Sequence, residues 1–289
     1  MKTRIITGVL AALFAIGLLV LIGLGYASFL SPVVSIFSAI AVNEIMRVTK
    51  CRNKVLTACA ITFSVFVTPY IAFDSEKYMP IPTSVILTVY VIGMLVVMLK
   101  WYDKTKFENV AFALFGSIAI PSAISFLFKV INIGEENPDV FQRSHIVFLI
   151  LIGMYAAWLT DTFAYFFGSR FGKHKLAPKI SPKKSVEGAV AGVIGTTVVT
   201  VITYLICDKF FFRNDTLNLL FVIIASIIMC VMGMLGDLSA SVIKRNYGEK
   251  DFGTLFPGHG GVLDRIDSFL FTAPALYVLT EIFLTINQR

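Results

Sequence analysis

Residues 217–236 read L-N-L-L-F-V-I-I-A-S-I-I-M-C-V-M-G-M-L-G, with Asp237 immediately after them. Twenty residues without an Asp, Glu, Lys, Arg or His make a helix about 30 Å long, the thickness of a bilayer's hydrocarbon core. Outward from this stretch, eight further runs meet the same requirement: 5–24, 28–48, 55–73, 81–99, 108–131, 146–167, 186–206 and 266–287. The expected fold is an all-α polytopic membrane protein of about nine transmembrane helices. Composition agrees, since 57% of the 289 residues are apolar and 15% charged, against about 45–50% and about 25% in soluble domains. The mean hydropathy of +0.82 excludes both a soluble enzyme and a disordered chain.

The first run follows Lys2 and Arg4 as a signal peptide would. It is long for one, and a second span follows at once, so it reads as an uncleaved helix. Cations then sort the connections. The N-terminus and the loops carrying Arg47 to Lys54, Lys100 to Lys106, Arg170 to Lys184 and Lys244 to Arg265 hold nineteen Lys and Arg residues. The other side holds six: Lys77, Lys129, Arg143, Lys209, Arg213 and Arg289. Cationic loops stay inside, which predicts a cytoplasmic N-terminus, both long loops in the cytoplasm and the C-terminus outside, in the cell (inner) membrane. The same rule accounts for the net charge of +7 with no nucleic-acid partner. Cys51, Cys59, Cys207 and Cys230 lack paired spacing and read as small buried hydrophobes. Polar residues gather in the cytoplasmic half of the last four spans. The chain thus divides into an N-terminal transmembrane region, 1–145, and a catalytic transmembrane region, 146–289. The first five spans are left as either a substrate vestibule or a homodimer surface.

An ionisable group at membrane depth finds a partner or serves function. Lys129 and Glu281 lie near span ends and can reach the interface. Glu44 stands four residues before the end of its span and divides evenly between the two roles. Asp161 has six residues of its span on the cytoplasmic side and is a candidate for substrate binding, a structural hydrogen bond being the alternative. Asp237 is expected to close the eighth helix, where the dipole disfavours a carboxylate unless a cation is near. Asp264 and Asp267, at i and i+3, are expected to open the ninth helix on one face, with Arg265 pointing elsewhere. Three carboxylates from two adjacent helix ends are the oxygen set that holds Mg²⁺ together with substrate phosphates. N-capping by Asp264 plus a salt bridge is the structural alternative.

Two cytoplasmic loops flank these carboxylates. The loop after span six places six cations between Arg170 and Lys184, with Ser181 and Ser185 among and after them. Lys and Ser can both donate to phosphate oxygens, although an ordinary cationic loop has the same look. The loop after span eight carries Lys244, Arg245, Lys250, Asp251 and the turn P-G-H-G-G at 257–261. Gly258, Gly260 and Gly261 allow close backbone approach just before a helix N-terminus, a site ready for an anion. Within that turn His259 reads as functional. Cations, carboxylates and exposed backbone N–H groups together suit phosphoryl or nucleotidyl transfer.

The pattern S-x-x-K-R-x-x-x-x-K-D-x-G-x-x-x-P-G-H-G-G-x-x-D-R-x-D, from Ser241 to Asp267, resembles the signature of phosphatidate cytidylyltransferases. The segments D-T-x-A-Y from Asp161 and K-x-x-L-A-P-x-I-S-P-K-K-S-x-E-G from Lys173 are similar to the same family, so the resemblance runs from about Trp158 to the C-terminus. Three positions depart from it: Phe163 where glycine is usual, Phe252 where a small polar residue is common, and Val186 in place of an aromatic. None removes an ionisable group; they bear on pocket shape.

The resemblance implies Mg²⁺-dependent transfer of CMP from CTP to phosphatidic acid, giving CDP-diacylglycerol and pyrophosphate, with room for a second, monovalent cation. It implies Asp237 and Asp264 as metal ligands with Asp267 next to them. Lys183, Lys184, Lys244, Arg245 and Lys250 would hold triphosphate or lipid phosphate, and His259 with the glycine turn would orient phosphates. Other CTP-dependent lipid enzymes, such as an ether-lipid cytidylyltransferase or a polyprenol kinase, are the near alternatives. An ion transporter lined by Asp161, Asp237 and Asp267 is the distant one.

Overall fold

A computed structural model describes all residues except 1, 74, 76–80, 213–215, 257, 259 and 289, and for 2–7, 10 and 11 it describes the backbone alone. Of the sequence-selected residues, Lys77, Arg213, His259 and Arg289 therefore lie outside the described set, as do the side chains of Lys2 and Arg4. The chain is helical almost throughout: α1 (Lys2–Gly23), α2 (Leu30–Val48), α3 (Lys54–Ala72), α4 (Thr83–Lys100), α5 (Phe107–Glu136) and α6 (Arg143–Phe171). A hairpin of β1 (Lys175–Ala177) and β2 (Ser181–Ser185) follows, then α7 (Val186–Phe210), α8 (Leu219–Asn246), the single turn α9 (Leu263–Ile266) and α10 (Phe269–Asn287). Among the described residues eight segments are long and apolar enough to cross a membrane, the first being Ala27–Val48 and the last Leu263–Asn287. The 22-residue α1 precedes them, over the first expected span. This is a multi-pass all-α membrane protein.

Several expected span ends shift by four residues or more, and two of these shifts bear on the site. α6 runs on to Phe171 and α8 to Asn246, ten residues past Gly236. Asp237 is thus inside α8 and not at its C-terminus, and the dipole argument against a carboxylate there falls away. The extra turns put Asp237, Ser241 and Lys244 on one stripe of α8, with Ser241 and Lys244 buried.

Without a hydrophobic drive between helices in lipid, packing rests on close backbone approach and hydrogen bonds. Gly188, Gly192 and Gly195 form a stripe on α7 against α6. A Cβ on Gly188 would lie 2.6 Å from the carbonyl oxygen of Ala164, and one on Gly192 2.7 Å from that of Thr160. Gly195 receives the Phe163 ring, whose atoms would come within 2.8 Å of a Cβ. That accommodates the bulk of Phe163. Thr160 and Thr196 hydroxyls pair across the same seam at 3.1 Å. Two buried apolar clusters stack along the bundle, one built from Ile45, Leu56, Val110, Val262 and their neighbours. The other is built from Phe128, Phe148, Leu217 and Phe283 with theirs.

Contacts between distant segments tie the ends of the bundle. At one end Asn53, capping α3, bonds Thr105 just before α5, and the Tyr247 hydroxyl after α8 donates to Glu108. At the other, the Tyr204 hydroxyl donates to the carbonyl of Leu217 at 2.6 Å and Gln288 donates to Asn137. The connections α6–α7 and α8–α9, with the cations between Arg170 and Lys184 and between Lys244 and Lys250, fall at the first end, and so does the site.

Candidate active site

α6, β2, α8 and the α9 turn bring charged side chains to one place. Lys184, from β2, lies 3.0 Å from Asp161 of α6 and 2.6 Å from Asp237 of α8. The contact to Asp237 is an ion pair without the alignment of a hydrogen bond, and Oδ2 of Asp237 is buried with no other partner. Burial opposes the charge on Lys184, but the carboxylates of Asp161 and Asp237 outweigh it and raise its pKa above the ordinary lysine value. It stays a cation across the neutral range.

A second pair lies deeper. Lys244 Nζ donates to Asp264 Oδ1 at 2.8 Å, with the two side chains 9% and 4% exposed. Oδ2 of Asp264 accepts from the backbone N–H groups of Phe252 at 2.7 Å and Gly261 at 2.9 Å. Both oxygens of Asp264 are therefore engaged. Asp264 closes the loop between α8 and α9 by binding its two arms and the stem. Lys244 also sits 5.1 Å from the centre of the Phe252 ring, so this departure from the family pattern supplies an aromatic wall under a buried cation. Asp267 is buried too, takes the N–H of Ser268 on Oδ1, and is within electrostatic reach of Asp237, Lys244 and Asp264. Gly236 makes this proximity: a Cβ there would lie 2.6 Å from the carbonyl oxygen of Asp267.

Four carboxylates (Asp161, Asp237, Asp264, Asp267) share two ammonium groups, Lys184 and Lys244. The surplus of two negative charges suits one divalent cation. Among the described residues no three His, Cys, Asp or Glu side chains converge tightly enough to enclose a metal unaided. Mg²⁺, the expected ion, is commonly held through one or two carboxylates plus substrate phosphates. Asp237 and Asp267, unlike Asp264, keep oxygens to offer.

Other expected residues are placed differently. Lys183 alternates with Lys184 along β2 and is exposed on the opposite face. Ser185 is buried and caps α7 by accepting from the N–H of Gly188 at 3.2 Å. Ser181 is half-buried at the start of β2. Arg245 is exposed and stitches the two loops, donating to the carbonyls of Ile180 and Glu249. Lys250, Asp251 and Arg265 are exposed. Glu187 binds the chain entering the hairpin, accepting from the N–H groups of Lys173 and His174 and pairing with the His174 ring. Gly258 and Gly260 hold φ of 78° and 85°, the left-handed region that glycine favours.

The largest departure from expectation concerns the N-terminus of the α9 turn. Its N–H groups do not face an open anion site; they are filled by Glu44 of α2. Val262 N donates to Oε1 at 3.0 Å and Leu263 N to Oε2 at 2.8 Å. One turn on, Arg47 donates to the carbonyl of Phe252 at 2.7 Å. A buried carboxylate in an apolar span was the one available signal for Glu44.

The chain matches the cytidylyltransferase family over residues 2–283. It belongs to that family. Among its relatives, the phosphatidate cytidylyltransferase of Bacillus subtilis is 29% identical over 287 residues, covering 98% of each chain. That of Staphylococcus haemolyticus is 39% identical over 137 residues, covering 47% of this chain and 50% of its own. That of Staphylococcus saprophyticus is 34% identical over 177 residues, 61% of each. The matched stretch thus spans half to three-fifths of the staphylococcal enzymes and nearly all of the one from Bacillus. This member of the cytidylyltransferase family carries its charged cluster in the stretch from Asp161 to Asp267, all within the matched range.

Proposed function

We propose that this membrane cytidylyltransferase transfers CMP from CTP to phosphatidic acid, releasing pyrophosphate and leaving CDP-diacylglycerol in the cytoplasmic leaflet of the cell membrane. The observation that supports it is the Asp161–Lys184–Asp237 bridge beside the Asp264–Lys244 pair at the cation-rich end of the bundle, in a chain whose relatives carry that activity in their names.

A phosphate oxygen of the lipid attacks the α-phosphorus of CTP, the bond to the β-phosphate oxygen breaks, and pyrophosphate leaves with the electron pair. The lipid phosphate is already ionised, so no protein nucleophile is needed. The task of the side chains is to hold two anions together against their repulsion. Lys184 is the group suited to it: its ammonium can turn from a carboxylate to a phosphate oxygen without leaving β2. Arg245 and Lys250, exposed at the loop, extend the cationic path toward the β- and γ-phosphates. Mg²⁺, held by Asp237 and Asp267, would neutralise charge on the bound phosphates. Asp264 and Lys244 keep the α9 turn in place beneath.

The test uses detergent-purified protein with phosphatidic acid, Mg²⁺ and CTP labelled separately at the α and γ positions. The α label should enter the lipid and the γ label should leave as pyrophosphate. Entry of the γ label into lipid would make the protein a kinase; movement of neither label would refute the reading.

A further inference from the structure

Glu44 is 6% exposed and sits in a membrane-spanning helix of the N-terminal half, far in sequence from every residue of the charged cluster. A carboxylate in such a place is costly unless its lone pairs are filled. Here both oxygens are filled by backbone N–H groups 218 and 219 positions away, those of Val262 and Leu263. The two arms of the loop close around the carboxylate: a Cβ on Gly253 or on Gly261 would collide with it. Arg47 fixes the first arm through the carbonyl of Phe252. Asp264 binds the same two arms from the other side, through the N–H groups of Phe252 and Gly261. The loop is thus clamped between a carboxylate from α2 and a carboxylate from the α9 turn, and the α2 clamp sets where that turn begins. Asp264 and Asp267 follow from there, one and four residues after Leu263.

We propose that Glu44, assisted by Arg47, is a positioning residue for nucleotidyl transfer: it occupies the anion site at the start of α9 so that Asp264 and Asp267 are held in register with Asp237 and Lys184. Substrate phosphates bind on the Lys184 side of the cluster and not at the glycine turn. This rests on the reading of the site given above, touches no substrate, and makes the N-terminal half of the chain part of the active site.

The experiment compares the full-length protein with Glu44→Gln, Glu44→Ala and Arg47→Ala in detergent. Gln keeps one acceptor and turns an amide against the second N–H group. Loss of one bond to a buried donor should lower kcat about tenfold, and Ala should lower it further. KM for CTP should stay within about twofold, because the phosphate-binding side chains are untouched. Formate or acetate should restore part of the turnover of Glu44→Ala by refilling the two N–H groups, a readout that general loss of folding would not give. Amide hydrogen exchange should quicken in residues 252–267 of the variants with the rest of the chain unchanged. Wild-type kcat in Glu44→Gln and Glu44→Ala, a KM effect with kcat unchanged, or exchange that quickens across the whole chain would each overturn the proposal. Quickened exchange at 252–267 in a protein whose wild type transfers neither label would refute the proposed function while leaving the clamp itself in place.

Discussion

Replacing Lys244 by Met removes one half of the most buried ion pair among the described residues. The pair is 2.8 Å long with both side chains at or below 9% exposure, so little water is at hand to take over the released charge. Removing one partner of such a pair costs about 3–5 kcal/mol. Asp264 retains two donors, the N–H groups of Phe252 and Gly261, and Met keeps apolar contact with the Phe252 ring, which together favour the lower end, about 3 kcal/mol. At about 2–4 °C per kcal/mol for chains of this size, the unfolding midpoint in detergent should fall by about 6–12 °C. Adding Asp264→Asn removes the stranded charge. The double variant should therefore be more stable than the sum of the single losses by about 2 kcal/mol, or about 4–8 °C. The assay is intrinsic-fluorescence melting of the wild type, both single variants and the double variant in one detergent. Additive losses, or a Lys244→Met midpoint within measurement error of the wild type, would refute the view that this pair is a desolvated clamp.

Lys184→Ala should lower turnover with CTP at least tenfold, whereas Lys183→Ala, on the other face of β2, should stay within about twofold; equal effects in steady-state assays would contradict the strand geometry. Because Lys184 has a raised pKa, its ion pairs should contribute fully at and below the ordinary lysine value and fade only as pH rises through the folded one. The gap in melting temperature between wild type and Lys184→Met should thus be flat from pH 7 to 9. Gly236→Ala drives a methyl against the carbonyl of Asp267 and should cost about 1–3 kcal/mol together with most of the activity, read by melting and label transfer. With the four native cysteines replaced, Lys179→Cys should react with an impermeant maleimide only from the cytoplasm; labelling from outside would invert the topology.

The spans were legible because each is a long apolar run and lipid demands an internally bonded helix. Their ends were less so. Asp237 looked like the last residue of a span, yet Leu238, Ala240 and Ile243 continue the helical pattern beyond it, and the carboxylate is tolerated inside because Lys184 meets it. The acidic and basic residues of the cluster were legible as types in a pattern. Their pairing was not: nothing in the sequence says that Lys184 turns to Asp161 and Asp237 while Lys183 turns away, since that depends on a short hairpin strand, Ser181–Ser185, in a mostly helical chain. Ser185 offered a hydroxyl in a cationic loop and proved to cap α7. Glu44 was visible as an anomaly, but its role depended on partners more than two hundred positions later.

That separation bears on how the protein is made. Glu44 enters the membrane with α2, and the N–H groups that donate to it are translated 218 and 219 positions later. Until Val262 and Leu263 arrive, the nascent protein carries a buried carboxylate without its final partners, and the loop that holds Asp264 does not yet exist. Assembly of the site therefore waits until translation has passed Leu263, and a ribosome that stops before that point leaves a membrane-inserted chain whose charged cluster is incomplete.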